Sequence, residues 1–108
     1  MIKWPLGAAG VQTPAYAATV AVAIDSNKSI VTIGQLTGAC TLNITPHAEQ
    51  KAGDELIVKT SADGTNRVIT WGTSMSGNAY TNTASKSVIH NFVFDGTNFV
   101  LLSSNQTN

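Results

Sequence analysis

The stretch Gly53-Asp54-Glu55-Leu56-Ile57-Val58-Lys59-Thr60-Ser61-Ala62-Asp63-Gly64-Thr65-Asn66-Arg67-Val68-Ile69-Thr70-Trp71-Gly72 decides the reading of the fold. Two runs of β-branched and aromatic residues flank a turn-forming Asp-Gly, the pattern of a β-hairpin bounded by glycines. The same four turn residues return as Asp95-Gly96-Thr97-Asn98, between Phe94 and Phe99. Two hairpins sharing one turn are therefore expected. Leu56 and Val58 share one face of the first hairpin and Ile57 lies on the other. With apolar residues on both faces, this element is predicted to be central, one face on the core and the other covered by an N-terminal arm or by a partner.

Working outward, residues 17–24 alternate with a period of two, placing Val20, Val22 and Ile24 inward. Asp25-Ser26-Asn27-Lys28 is a turn, and Ser29 to Ile33 reads as the return strand. Ala39 to Thr45 carries Cys40, Leu42 and Ile44 on one face, and Pro46 ends it. Pro46 to Ala52 is the one helix-friendly segment and is too short for more than one or two turns. Thr73 to Ser87 is rich in Thr, Ser, Asn and Gly and reads as a long loop. Val88 to Phe94 and Phe99 to Ser103 form the second hairpin. The pattern predicts an all-β fold, an antiparallel β-sandwich or jelly roll of about seven or eight short strands. The domain spans residues 17–104, with a frayed polar tail at 105–108.

Residues 1–16 mix two prolines and two glycines with apolar side chains. Lys3, the apolar run and Ala15-Tyr16-Ala17 imitate a signal peptide, but Pro5, Gly7, Gly10, Gln12 and Pro14 interrupt the run, which reads instead as an extended arm. Trp4, Leu6, Val11 and Tyr16 give the arm more apolar surface than a free tail leaves in water, so it is expected to dock.

Composition excludes several functions. The 108 residues amount to one domain. Charged residues are 11% of the chain, against a typical ~25%, and the formal net charge is zero. Nothing draws this surface to nucleic acid or to an anionic membrane. Cys40 is the single cysteine, so no intramolecular disulfide forms and its simplest role is a small buried side chain. No apolar run approaches the roughly 18 residues of a membrane span.

Catalysis requires a positioned acid, base or nucleophile. His47 follows a proline and reads as exposed; His90, on an apolar strand face, reads as a hydrogen-bonded core histidine. A Cys40–His90 nucleophile has no supporting motif. One cysteine and two distant histidines fall short of a zinc site, and Asp54-Glu55 is too isolated for calcium. No cofactor is expected. Asn27, Asn43 and Asn105 begin Asn-x-Ser/Thr triplets of the number that chance yields in so Ser/Thr-rich a chain. Trp71 reads as core, whereas Tyr80, with Met75 and Asn78 in the 73–87 loop, is the candidate for an exposed binding contact.

Thr41-Leu42-Asn43-Ile44, Ala52-Gly53-Asp54-Glu55-Leu56, Arg67-Val68-Ile69-Thr70-Trp71-Gly72 and Phe92-Val93-Phe94-Asp95-Gly96-Thr97-Asn98-Phe99 occur in this order. Together they resemble a small β domain of structural proteins of tailed bacteriophages, over about residues 30 to 103. The resemblance implies a non-enzymatic virion protein, commonly a homotrimer, with no catalytic residues to carry over. Because the chain is little more than the domain, it points to an auxiliary or decoration protein on the capsid surface, with the major capsid protein or another virion protein as partner. The arm residues Trp4, Leu6, Val11 and Tyr16 would be the attachment segment. A head- or tail-fibre domain binding a host glycan or receptor through the Tyr80 loop is the alternative.

Overall fold

The computed structural model describes residues 10–107, and the expectations for Trp4 and Leu6 lie outside them. Among the described residues ten strands form two mixed sheets. The strands are β1 (Gly10–Gln12), β2 (Thr19–Ala23), β3 (Lys28–Thr32), β4 (Cys40–Thr45), β5 (Glu55–Ser61), β6 (Arg67–Trp71), β7 (Met75–Ser76), β8 (Tyr80–Asn82), β9 (Ser87–Phe94) and β10 (Phe99–Thr107). One sheet has six strands in the order β1-β3-β5-β9-β10-β7; the other has four, β2-β4-β6-β8.

The all-β class is as expected, but the pairing is not. From β1 to β6 the chain changes sheet at every connection, odd strands entering the larger sheet and even strands the smaller. Each circuit lies in parallel register on the one before: Lys28 beside Glu55, Thr19 beside Thr41, Cys40 beside Ile69. The corners stack too, through a parallel bridge between Leu36 and Ala62. The first three circuits are thus parallel rungs. Antiparallel pairing begins only where β9 joins β5, β10 joins β9 and β8 joins β6.

This corrects the central hairpin. β5 and β6 lie in different sheets, so Ala62 to Asn66 is a corner between sheets rather than a turn within one. Asp63 is held there by Arg67, whose Nε and Nη2 each donate at 2.9 Å to its two carboxylate oxygens. Likewise Ser29 to Ile33 is no return strand for β2, because β3 belongs to the other sheet. Asp95 to Asn98 is a true hairpin turn, in which Asp95 Oδ1 accepts from the N–H groups of Thr97 and Asn98, both at 2.8 Å.

The two copies of Asp-Gly-Thr-Asn should therefore respond differently to one substitution. Gly96 sits at φ +104°, where a side chain is strained. Gly64 has no positive φ, and an added Cβ would meet nothing within 4 Å at either site. Gly96→Ala is expected to cost about 1 kcal/mol of unfolding free energy, and Gly64→Ala to stay within about 0.5 kcal/mol of the parent. Urea unfolding of the two variants side by side checks this.

Residues of both sheets form one core. Val20, Val22, Leu42, Ile44, Ile69 and Trp71 come from the smaller sheet; Val31, Leu56, Val58, Phe92, Phe94 and Phe99 come from the larger. The period of two grouped Val20 with Val22, Leu42 with Ile44, and Leu56 with Val58 on one face as found, since pleating turns alternate side chains to one face whichever way neighbouring strands run. Three boundaries differ from expectation. The 73–87 segment contains β7 and β8 rather than one open loop. The 46–52 segment forms turns and no helix. β10 continues as paired strand to Thr107, opposite Ser87, where a frayed tail was expected.

Candidate interaction surfaces

The buried polar groups come together around His90. Its ring is fully buried, packed edge-on by Trp71 at 4.8 Å and Tyr80 at 5.1 Å between centroids. Thr60 Oγ1 donates to Asn82 Oδ1 at 2.7 Å, so its oxygen is free to accept from His90 Nε2, 3.0 Å away. That assigns the neutral tautomer with the proton on Nε2, leaving Nδ1 to accept from the Ser104 hydroxyl at 2.8 Å. Asn82 Nδ2 donates onward to the Arg67 carbonyl at 3.3 Å. The bonds run in one sense from Ser104 to Arg67, and no buried side-chain N or O among the described residues lacks a partner.

A serine hydroxyl on a histidine invites comparison with a nucleophile and its base. Three features argue against it. Burial pushes the His90 pKa down to about 4, which makes it a weak base. Its other nitrogen meets a hydroxyl rather than an orienting carboxylate, and neither surface depression includes Ser104 or His90. The Cys40 thiol is buried and its pKa is raised by desolvation, opposite to the shift of an activated cysteine. Among the described residues no three His, Cys, Asp or Glu side chains are grouped to hold a metal ion.

Of the expected contact residues, Met75 is buried in the core and Tyr80 is half-buried against His90. Asn78 is exposed, and its carbonyl accepts from Trp71 Nε1 at 3.0 Å. They do not make an exposed aromatic loop. Tyr16 packs on the core and its hydroxyl donates to the Ala39 carbonyl at 2.9 Å. Gly38 leaves room for this ring, since a Cβ there would lie 2.6 Å from the Tyr16 hydroxyl. His47 is half-buried in its turn rather than fully exposed. Val11 stands apart, 62% exposed.

Two of the surfaces that the described residues turn outward are candidates for contact. The first is the edge of the stack at β1 and β2. Among the described residues each has a strand on one side only, β3 and β4 respectively. Gln12 Nε2 ties them together by donating to the Ala23 carbonyl at 2.7 Å. The outward side chains of β2 are Thr19, Ala21 and Ala23, and neither β1 nor β2 contains a charged residue; the Asp25 carboxylate lies just past the end of β2, near Gly10.

The second surface is the outer face of the six-stranded sheet. Register places Val11, Ile30, Ile57, Asn91 and Ser103 in one row across five strands. On one side of that row lie Lys28, Glu55 and Val93; on the other lie Thr32, Lys59 and Ile89. Leu102, at the bulge between Leu101 and Ser103, is 65% exposed. Two shallow depressions flank the row. One of about 280 Å³ includes Glu55, Ile57, Val93 and Leu102, and one of about 360 Å³ includes Thr32, Lys59, Ile89 and Thr107. Sequence reading found the apolar outer face at Ile57, but the row needed the strand partners, which alternation alone does not name.

No family model matches the chain, and no curated protein matches it in sequence.

Proposed function

We propose that this protein is a non-enzymatic structural component of a bacteriophage virion, an auxiliary protein attached to the capsid surface. The phage assignment rests on the ordered sequence motifs described above. The observation that carries the attachment is the strand edge at β1 and β2, which among the described residues is paired on one side only and whose two strands contain no charged residue. Unpaired backbone N–H and C=O groups on an unguarded edge accept a strand from a partner, with main-chain hydrogen bonds supplying affinity. The two sheets lining a single core support a β-sandwich, a rigid body well suited to adding buried area across a shell and so stabilising it by mass action. The alternative, a glycan-binding fibre domain, loses support because Met75 is buried and Tyr80 is half-buried against the core histidine.

The test is cosedimentation of purified protein with capsids of the encoding phage that lack it. Wild type is expected to pellet with capsids, and Ala21→Lys and Ala23→Lys, which place charge on the β2 edge, to weaken binding roughly tenfold. Absence of wild-type binding, or full binding by both variants, would overturn the proposal.

A further inference from the structure

The outer face of the six-stranded sheet has a symmetry of its own. Along β5 it reads Glu55, Ile57, Lys59, an acid and a base at equal distances from an isoleucine. On β9 the matching positions are Val93, Asn91 and Ile89, and on β3 they are Lys28, Ile30 and Thr32. We infer that this face binds a second copy of the same chain, sheet against sheet, about a two-fold axis running along the row Val11-Ile30-Ile57-Asn91.

Only one placement of a two-fold axis suits these residues. An axis along the row keeps each strand over its own copy and reverses its direction. Ile57 then meets Ile57 of the second copy and Ile30 meets Ile30. Glu55 falls opposite Lys59 of the second copy, twice per dimer, and Val93 falls opposite Ile89. The remaining charge, Lys28, meets Thr32 of the second copy and stands beside Glu55 on the adjacent strand, so each Glu55 lies between Lys28 of its own chain and Lys59 of the other. An axis along β5 would instead set Glu55 on Glu55 and Lys59 on Lys59. The pattern is self-complementary in the first arrangement and repulsive in the second.

Magnitude favours a weak dimer. Five strands about 4.8 Å apart, each contributing up to about five residues of roughly 3.3 Å, make a face on the order of 400 Å² per copy. That falls below the roughly 800 Å² per partner of a standard interface and belongs with transient ones. The zero net charge of the chain leaves no long-range repulsion between copies. The face shares β1 with that edge through Val11, but Glu55 and Lys59 lie on β5, two strands in, so changes there leave the edge residues themselves untouched. The inference therefore stands or falls independently of capsid attachment.

Sedimentation velocity on the purified protein across micromolar to millimolar concentration is the test. Wild type is expected to pass reversibly from monomer to dimer. Glu55→Lys alone and Lys59→Glu alone each put two like-charged pairs across the interface and are expected to weaken dimerisation about tenfold. An equimolar mixture of the two single variants restores both opposite-charge pairs, and is expected to form a heterodimer as tight as the wild-type dimer. The E55K/K59E double variant should recover dimerisation in the same way. All of these positions are on the solvent face, and a thermal melt of each variant confirms that it is folded. A monomer at all concentrations, a trimer, single variants that dimerise like wild type, or a mixture that fails to recover would each overturn the inference.

Discussion

Between pH 7.5 and pH 4.5 the unfolding free energy is expected to fall by roughly 2 to 3 kcal/mol, with His90 as the cause. In the unfolded chain this histidine takes up a proton near pH 6.5, whereas in the folded protein burial holds its pKa at about 4. Well above pH 6.5 neither state is protonated and the stability is complete. As pH drops from 6.5 toward 4 the unfolded state gains a proton that the folded state refuses, and stability is lost throughout that window. Each pKa unit of difference corresponds to about 1.4 kcal/mol. The Asp63 carboxyl is depressed chiefly by its hydrogen bond from Arg67, and that of Asp95 by the N–H groups of Asn98 and Thr97. Both pKa values lie below 3.8, so these groups destabilise the fold in the same direction but at lower pH. Urea titrations at half-unit pH steps on wild type and His90→Gln separate the two. The variant should show a flat profile between pH 6.5 and 4.5; a slope equal to that of wild type would rule out His90 as its source.

Thr60→Val is expected to cost about 2 to 4 kcal/mol at neutral pH, more than its volume suggests. The two side chains are nearly the same shape, so the core stays filled. What is lost is the hub of the buried chain. Asn82 Oδ1 loses its donor and His90 Nε2–H its acceptor, and each buried polar group left without a partner costs about 1 to 3 kcal/mol. Thr81, the exposed neighbour of Asn82, is the matched control, and Thr81→Val should stay within about 0.5 kcal/mol. For a domain of this size the Thr60 variant should melt on the order of 10 to 20 °C lower. Equal melting temperatures for the two variants would show that the hydrogen-bond chain contributes little.

The core was legible in the sequence because inward and outward residues alternate, as at Val20, Val22 and Ile24 or Leu56 and Val58. Strand direction was not, because the pleat alternates identically in parallel and antiparallel pairs. The Asp-Gly turn misled for a related reason. Asp63 accepts the Thr65 N–H just as Asp95 accepts that of Thr97, so the local chemistry is shared by a corner between sheets and a hairpin within one. Only the φ of the glycine, positive at Gly96 and not at Gly64, tells them apart. β7 and β8 were missed because strands of two and three residues have too short a period to register. The Glu55–Ile57–Lys59 pattern was visible, but its meaning depended on β5 having β3 and β9 as neighbours.

The sheet change at every connection from β1 to β6 also bears on cooperativity. In this part of the chain neither sheet is a continuous segment, since residues 10–71 shuttle between the two strand by strand. No cut or deletion there can release one sheet and leave the other whole. Removing any rung takes a strand from each sheet and strips both sides of the core together. Interleaving binds the halves of the molecule into a single thermodynamic unit, the condition under which a small domain unfolds all at once rather than in parts.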